Sequence, residues 1–212
     1  MSEKLRLYSE AAKLSLENAK QWMEDAKLLL EHGSFGHASA LIRIALEETA
    51  KAHICWFTSE GMWPIENKVI KDVFRHHKVK NRLFLGLIYA AVWMRENYPL
   101  EVATKDMLEP TEEEILEAFE EFEDMIEAVE KMKQRAMYVD VDLEKKEVST
   151  PMTIGEKEPE IVLKSAEFFL KLTRYYMEKF SEEKKAKVRE FFSFIPREAW
   201  KTGEIPIEWF RE

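Results

Sequence analysis

Between Ser39 and Phe57 the chain reads SALIRIALEETAKAHICWF, and on a helix of 3.6 residues per turn its apolar side chains point in nearly every direction. A helix that is apolar all round has no solvent face, so it must run through the middle of a helical domain with other elements packed around it. Yet Arg43, Glu47 and Lys51 stand four apart through its centre, with Glu48 beside them. Buried charges are costly unless paired. Any fold of this chain must therefore bring partners to that stripe.

The preceding segment carries a one-sided pattern. Leu14, Leu16, Ala19, Trp22, Met23, Ala26 and Leu29 recur at three and four, which predicts an amphipathic helix from about Glu3 to His32. Gly33 and Gly36 mark its end and a tight turn, and Gly61 with Pro64 stops the second helix, predicted over about His37 to Ser59. A connection this short makes the two helices antiparallel neighbours.

Further along, Leu83 to Tyr98 reads as an apolar helix ended by Pro99, and PTEEEILEAFEEFEDMIEAVEKMKQRAMY as an acidic one opened by Pro110 and Thr111. In the latter, Ile115, Phe119, Phe122, Ile126 and Val129 form a buried stripe under a solvated glutamate face. The period then changes to two: Val139, Val141 and Leu143 alternate with Asp140, Asp142 and Glu144, as in a small hairpin or extended arm. Helices resume near Pro159 and Ser181. The expected fold is an all-α up-and-down bundle of four main helices with a small β-hairpin insertion and a C-terminal helical extension. Its expected divisions are 1–137 for the bundle, 138–157 for the hairpin or arm, and 158–212 for helices packing on the bundle.

Gly (6) and Pro (7) are scarce among the 212 residues, as a helical protein requires. The lone cysteine, Cys55, excludes an internal disulfide and fits a reducing cytoplasm. MSEKLRLYSE has no apolar signal-peptide core, and the uncharged run Leu83–Met94 is too short to span a bilayer, so a soluble protein without a membrane partner is expected. A net charge of −9 argues against generic attraction to a polyanion, so a nucleic-acid role needs a local basic patch.

FRHHKVKNR, Phe74 to Arg82, is such a patch. It holds Arg75, Lys78, Lys80 and Arg82 with His76 and His77, and no acid. It is a candidate phosphate-binding segment, or a basic turn that pairs with the acidic helix or with Glu47 and Glu48. The stripe of Arg43, Glu47 and Lys51 likewise reads either as a ladder that neutralises itself or as one wall of a ligand cleft. Neighbouring histidines diverge, and the chain lacks Glu-x-x-His, His-x-x-x-His and paired cysteines, so neither a metal site nor any other cofactor is expected. A single histidine can instead serve as acid or base near neutral pH.

GSFGHASALIRIALEETAKA resembles the second-helix signature of the HEPN superfamily. Together with FRHHKVK and KQRAMYVDVD…STPMTI, the chain from about Ala11 to Ile154 resembles the AbiV family of abortive-infection proteins. The resemblance implies an all-α bundle, frequently dimeric, acting in phage defence or toxin-like RNA biology, with RNA or a phage or antitoxin-type protein as partner. Many superfamily members are metal-independent ribonucleases carrying Arg-x4-6-His. Here no arginine has that spacing; Lys71 precedes His76 and His77 at comparable distance, and lysine lacks arginine's planar bidentate grip on phosphate. If cleavage occurred, His77 or His76 would take the ribose 2′-hydroxyl proton as that oxygen attacks phosphorus. Arg43, Lys51 or Lys78 would stabilise the phosphate oxygens, and Glu47 would orient one of those cations. Glu48, Arg75 and Lys80 would bind RNA beside them, and Tyr138 and Asp140 would close the cleft. Binding of RNA or a protein partner through this cleft is the leading expectation. A ribonuclease and a purely structural helical partner are the alternatives.

Overall fold

The computed structural model describes residues 2–62, 74–75, 131–142 and 146–193. Helix α1 (Glu3–Glu31) starts after Ser2, whose hydroxyl accepts from the Leu5 amide at 3.4 Å. It ends at Gly33, where φ is +71°. There the Ser34 amide donates to the Leu29 carbonyl at 2.8 Å and the Gly33 amide to the Leu30 carbonyl at 2.9 Å. Helix α2 (Phe35–Ser59) ends the same way: Gly61 has φ +60°, and the Met62 amide reaches the Phe57 carbonyl at 3.0 Å. In both, a glycine in the left-handed region lets the chain satisfy carbonyls that the helix end would orphan.

Gly36 behaves differently from the turn residue expected of it. It lies within the first turn of α2, and a Cβ there would overlap the backbone of Pro151. Glycine is needed at that position for a close approach of two backbones. The helix consequently begins two residues earlier than its composition suggested.

Helices α1 and α2 are antiparallel. Ala12 packs with Ile54 to Phe57 at one end, and Ala26 with Ile42 and Ala45 at the other. The seam is built of small residues: Ala12, Ala19 and Ala26 on α1, with Ala38, Ala45 and Ala52 buried on α2. Small side chains let helix axes approach closely. The buried stripe therefore runs through Ala12 and Ser15, and Leu14, which shares the apolar period, is 58% exposed.

Around α2 the remaining elements close in. Residues 131–137 are helical (α3), and the chain then forms an antiparallel hairpin of β1 (Asp140–Asp142) and β2 (Glu147–Ser149), in which Val141 faces Val148. A 3-10 turn (Pro151–Thr153) seats the hairpin's exit on Gly36, and Ile154 packs with Ala40 and Ala136. Helix α4 (Lys157–Lys179) then runs parallel to α2: Glu158 meets Ser39, Thr173 meets His53, and Tyr176 meets Trp56. Helix α5 (Glu182–Ser193) returns to the end of α2, where Lys185 bonds Glu60 at 2.6 Å. The described residues form an all-α bundle around α2, with one small hairpin. Every residue from Ala52 to Ser59 is buried, as a helix apolar on all sides requires.

A charged seam on the central helix

The stripe on α2 is met by side chains from α3 and α4. Arg43 is 4% exposed, and its Nη1 donates to the Ser39 carbonyl at 3.3 Å and to the Ser39 hydroxyl. Its Nη2 donates to Glu158 Oε1 at 3.3 Å, and Ser39 Oγ donates to the same oxygen at 3.2 Å. Arg135 Nη2 reaches the other carboxylate oxygen at 3.4 Å. One turn on, Glu47 accepts from Lys133 Nζ at 2.8 Å, with both side chains buried.

Burial lowers the Arg43 pKa, while the Glu158 carboxylate beside it opposes that shift. An arginine stays protonated throughout any working range. Arg43 and Glu47 are thus buried charges held by opposite charges, the arrangement in which removing one partner is most damaging.

The stripe changes character at its far end. Lys51 and Glu48 are half-buried and paired with each other within α2. Lys51 Nζ also lies 5.9 Å from the ring centroid of Phe74, which brings the first residues of the basic segment against the ladder. Arg75, next along, is exposed. His76, His77, Lys78 and Lys80 lie outside the described residues. Tyr138 is exposed just past α3, and Asp140 opens β1.

The other half of α2 has no charge. His53 is buried, stacks on Phe57 with ring centroids 4.7 Å apart, meets Tyr176 edge-on at 5.3 Å, and has Nδ1 3.1 Å from the Thr173 hydroxyl. Desolvation holds its pKa down at about 3, so the ring is neutral near pH 7. Burial likewise pushes the Cys55 thiol up to about 12, which leaves it unreactive as a nucleophile. Thr49 in the charged half and Thr58 in this one each bond a carbonyl of their own helix at 2.8 Å, which is how hydroxyls are tolerated in a buried helix. Among the described residues no group of three or more His, Cys, Asp or Glu is placed to hold a metal ion, and no helix is long and apolar enough to cross a membrane.

The family model for HEPN AbiV, described as AbiV, matches residues 7–171. The chain belongs to the AbiV family. No curated protein and no solved structure matches it. It is accordingly an abortive-infection HEPN-domain protein. The AbiV match extends past Ile154, where the sequence resemblance stopped, and takes in most of α4. That extension fits the packing, because α4 supplies Glu158 to the seam.

Four residues of this AbiV seam escape a local reading of the sequence: Ser39, Lys133, Arg135 and Glu158. The nearest signal is KMKQR, where three cations in five residues follow an acidic stretch of sequence. The expectation that the basic segment after Phe74 meets the α2 charges falls, beyond Arg75, on residues outside the described ones; among the described residues the contacts are these. Arg43 and Glu47 take partners from α3 and α4, and Lys51 is the residue that touches Phe74.

Proposed function

We propose that this AbiV-family protein serves phage defence by binding RNA along the charged seam of α2. The carrying observation is the Lys51–Phe74 contact, which joins the less buried end of the ladder to a segment whose next eight residues include four cations and two histidines. In this reading Lys51, Arg75, Lys78 and Lys80 attract phosphates, with Glu48 fixing the direction of Lys51. Tyr138 offers an exposed ring on which a base can stack, and Asp140 lies beside it in the chain. Arg43 and Glu47 act from below as positioning residues: Glu47 holds Lys133, and Arg43 holds Glu158. His76 and His77 are the acid–base candidates if RNA is cut as well as bound.

A protein partner, a second copy included, is the second reading. It is favoured by the apolar side chains that the hairpin region exposes: Val139, Val141, Val148 and Met152.

Binding to single-stranded RNA measured by fluorescence anisotropy across a salt series tests the first reading. Affinity should fall steeply with salt, and Lys51→Ala/Arg75→Ala should weaken binding and flatten the salt slope. No binding at low salt, or equal binding by that variant, removes the RNA reading. Incubation of RNA with a chelator present, with His76→Ala/His77→Ala as control, separates binding from metal-free cleavage.

A further inference from the structure

Two arginines from different helices aim at one carboxylate. Arg43 and Arg135 contact opposite oxygens of Glu158 at 3.3 and 3.4 Å, and Ser39 Oγ adds a third donor at 3.2 Å. These distances are long for charge-assisted hydrogen bonds, which run about 2.7–2.9 Å. Two positive charges face a single negative one.

The three groups also differ in exposure. Arg43 is 4% exposed, Glu158 27% and Arg135 47%. The carboxylate, rather than the buried guanidinium, is therefore the face that solvent reaches. Arg43 is braced independently of Glu158, by the Ser39 carbonyl and hydroxyl one turn earlier on its own helix. Its fork keeps its orientation if the glutamate leaves. Glu158 lies in the first turn of α4 on a flexible side chain, and departure costs it three long contacts.

We propose that Glu158 occupies a phosphate site and is displaced when a phosphate group binds. The oxygens of a phosphate monoester or diester would take the positions of Oε1 and Oε2 between Arg43, Arg135 and the Ser39 hydroxyl. Planar guanidinium forks suit that geometry. The positive end of α4 adds favourable potential at the same place. The site goes beyond the RNA surface proposed above, since it uses neither Lys51 nor the histidine segment. Glu158 makes it self-blocking, so it discriminates against weakly charged anions.

The test follows thermal unfolding of the full chain in inorganic phosphate against chloride at matched ionic strength. Glu158→Gln should bind phosphate about tenfold more tightly than the wild-type chain, read as a larger phosphate-dependent rise in Tm. Adding Arg135→Met should abolish the gain. Glu158→Asp, which keeps the charge but shortens its reach, should fall between the two and provides the readout if Glu158→Gln does not fold. A second arm uses an RNA oligomer without terminal phosphates. A gain there assigns the site to backbone diesters, and a gain with inorganic phosphate alone assigns it to free phosphate or a monoester. A folded Glu158→Gln or Glu158→Asp chain that responds to phosphate no more than the wild type overturns the proposal. The gain of Glu158→Gln over Glu158 should be the same with Lys51→Ala/Arg75→Ala in both chains, so failure of the RNA surface and failure of this site are read separately.

Discussion

The two halves of α2 solve the same burial problem by opposite means. From Ser39 to Lys51 the helix carries charges and imports partners for them: Glu158 for Arg43 and Lys133 for Glu47. From Ala52 to Ser59 it carries none and packs His53, Trp56 and Phe57 against Tyr176 and Phe180. Both halves pack on α4, and the charged half also takes Lys133 from α3. An apolar box needs only volume and shape, whereas an ion-pair seam needs particular partners at particular positions. Replacing a buried ion pair by apolar side chains is often neutral or stabilising. Under the proposed function, the seam beside exposed cations binds anions as well as holding helices together.

The largest effect should come from breaking the seam. Lys133→Met leaves the Glu47 carboxylate buried without that lysine, at a cost of roughly 3–5 kcal/mol in urea unfolding. Glu47→Gln/Lys133→Met should recover most of the loss, which an apolar contact at the same place would not do. Next is the junction that seats the hairpin: Gly36→Ala forces a methyl into the Pro151 backbone, with an expected loss of about 1–3 kcal/mol by the same measurement.

The aromatic half should answer to pH. The folded His53 pKa is about 3 against an ordinary value of 6.5, so between those values the unfolded chain binds more protons. The contribution is whole above pH 6.5 and is lost as pH falls towards 3. At about 1.4 kcal/mol per unit, stability should drop by about 2 kcal/mol from pH 6.5 to pH 5. Chemical denaturation of His53→Leu across that range should show a shallower fall. The smallest effect belongs to the half-buried Lys51–Glu48 pair. Lys51→Met should change stability by less than about 1 kcal/mol, and the change should shrink as salt is added. A cost comparable to that of Lys133→Met would mean that the seam continues as a buried structure to its end.

How much of this was legible depends on the range of the interaction. The first two helices and both glycine stops follow from local rules: α1 and α2 lie within two residues of their expected bounds, and Gly33 and Gly61 adopt positive φ. The hairpin follows from the alternation of Val139, Val141 and Leu143, although only its register shows that Val148 is the partner of Val141. The need for partners along α2 was also visible, because an all-round apolar helix cannot leave Arg43 in water. Their identity was not. Glu158 reads as one acid among several at the start of α4, and nothing in the local period ties it to a residue 115 positions earlier. Leu14 misled for a related reason: its spacing suits a buried stripe, but the small-residue seam through Ala12 and Ala19 fixes which side of α1 faces inward.

Backbone amide NMR of the full chain during titration with single-stranded RNA compares the two halves most directly. Binding along the seam should perturb resonances of Ser39–Lys51, residues 131–138 and the first turn of α4, and leave His53–Ser59 and Tyr176 unmoved. Perturbations centred on the aromatic half, or absent from both, would contradict it.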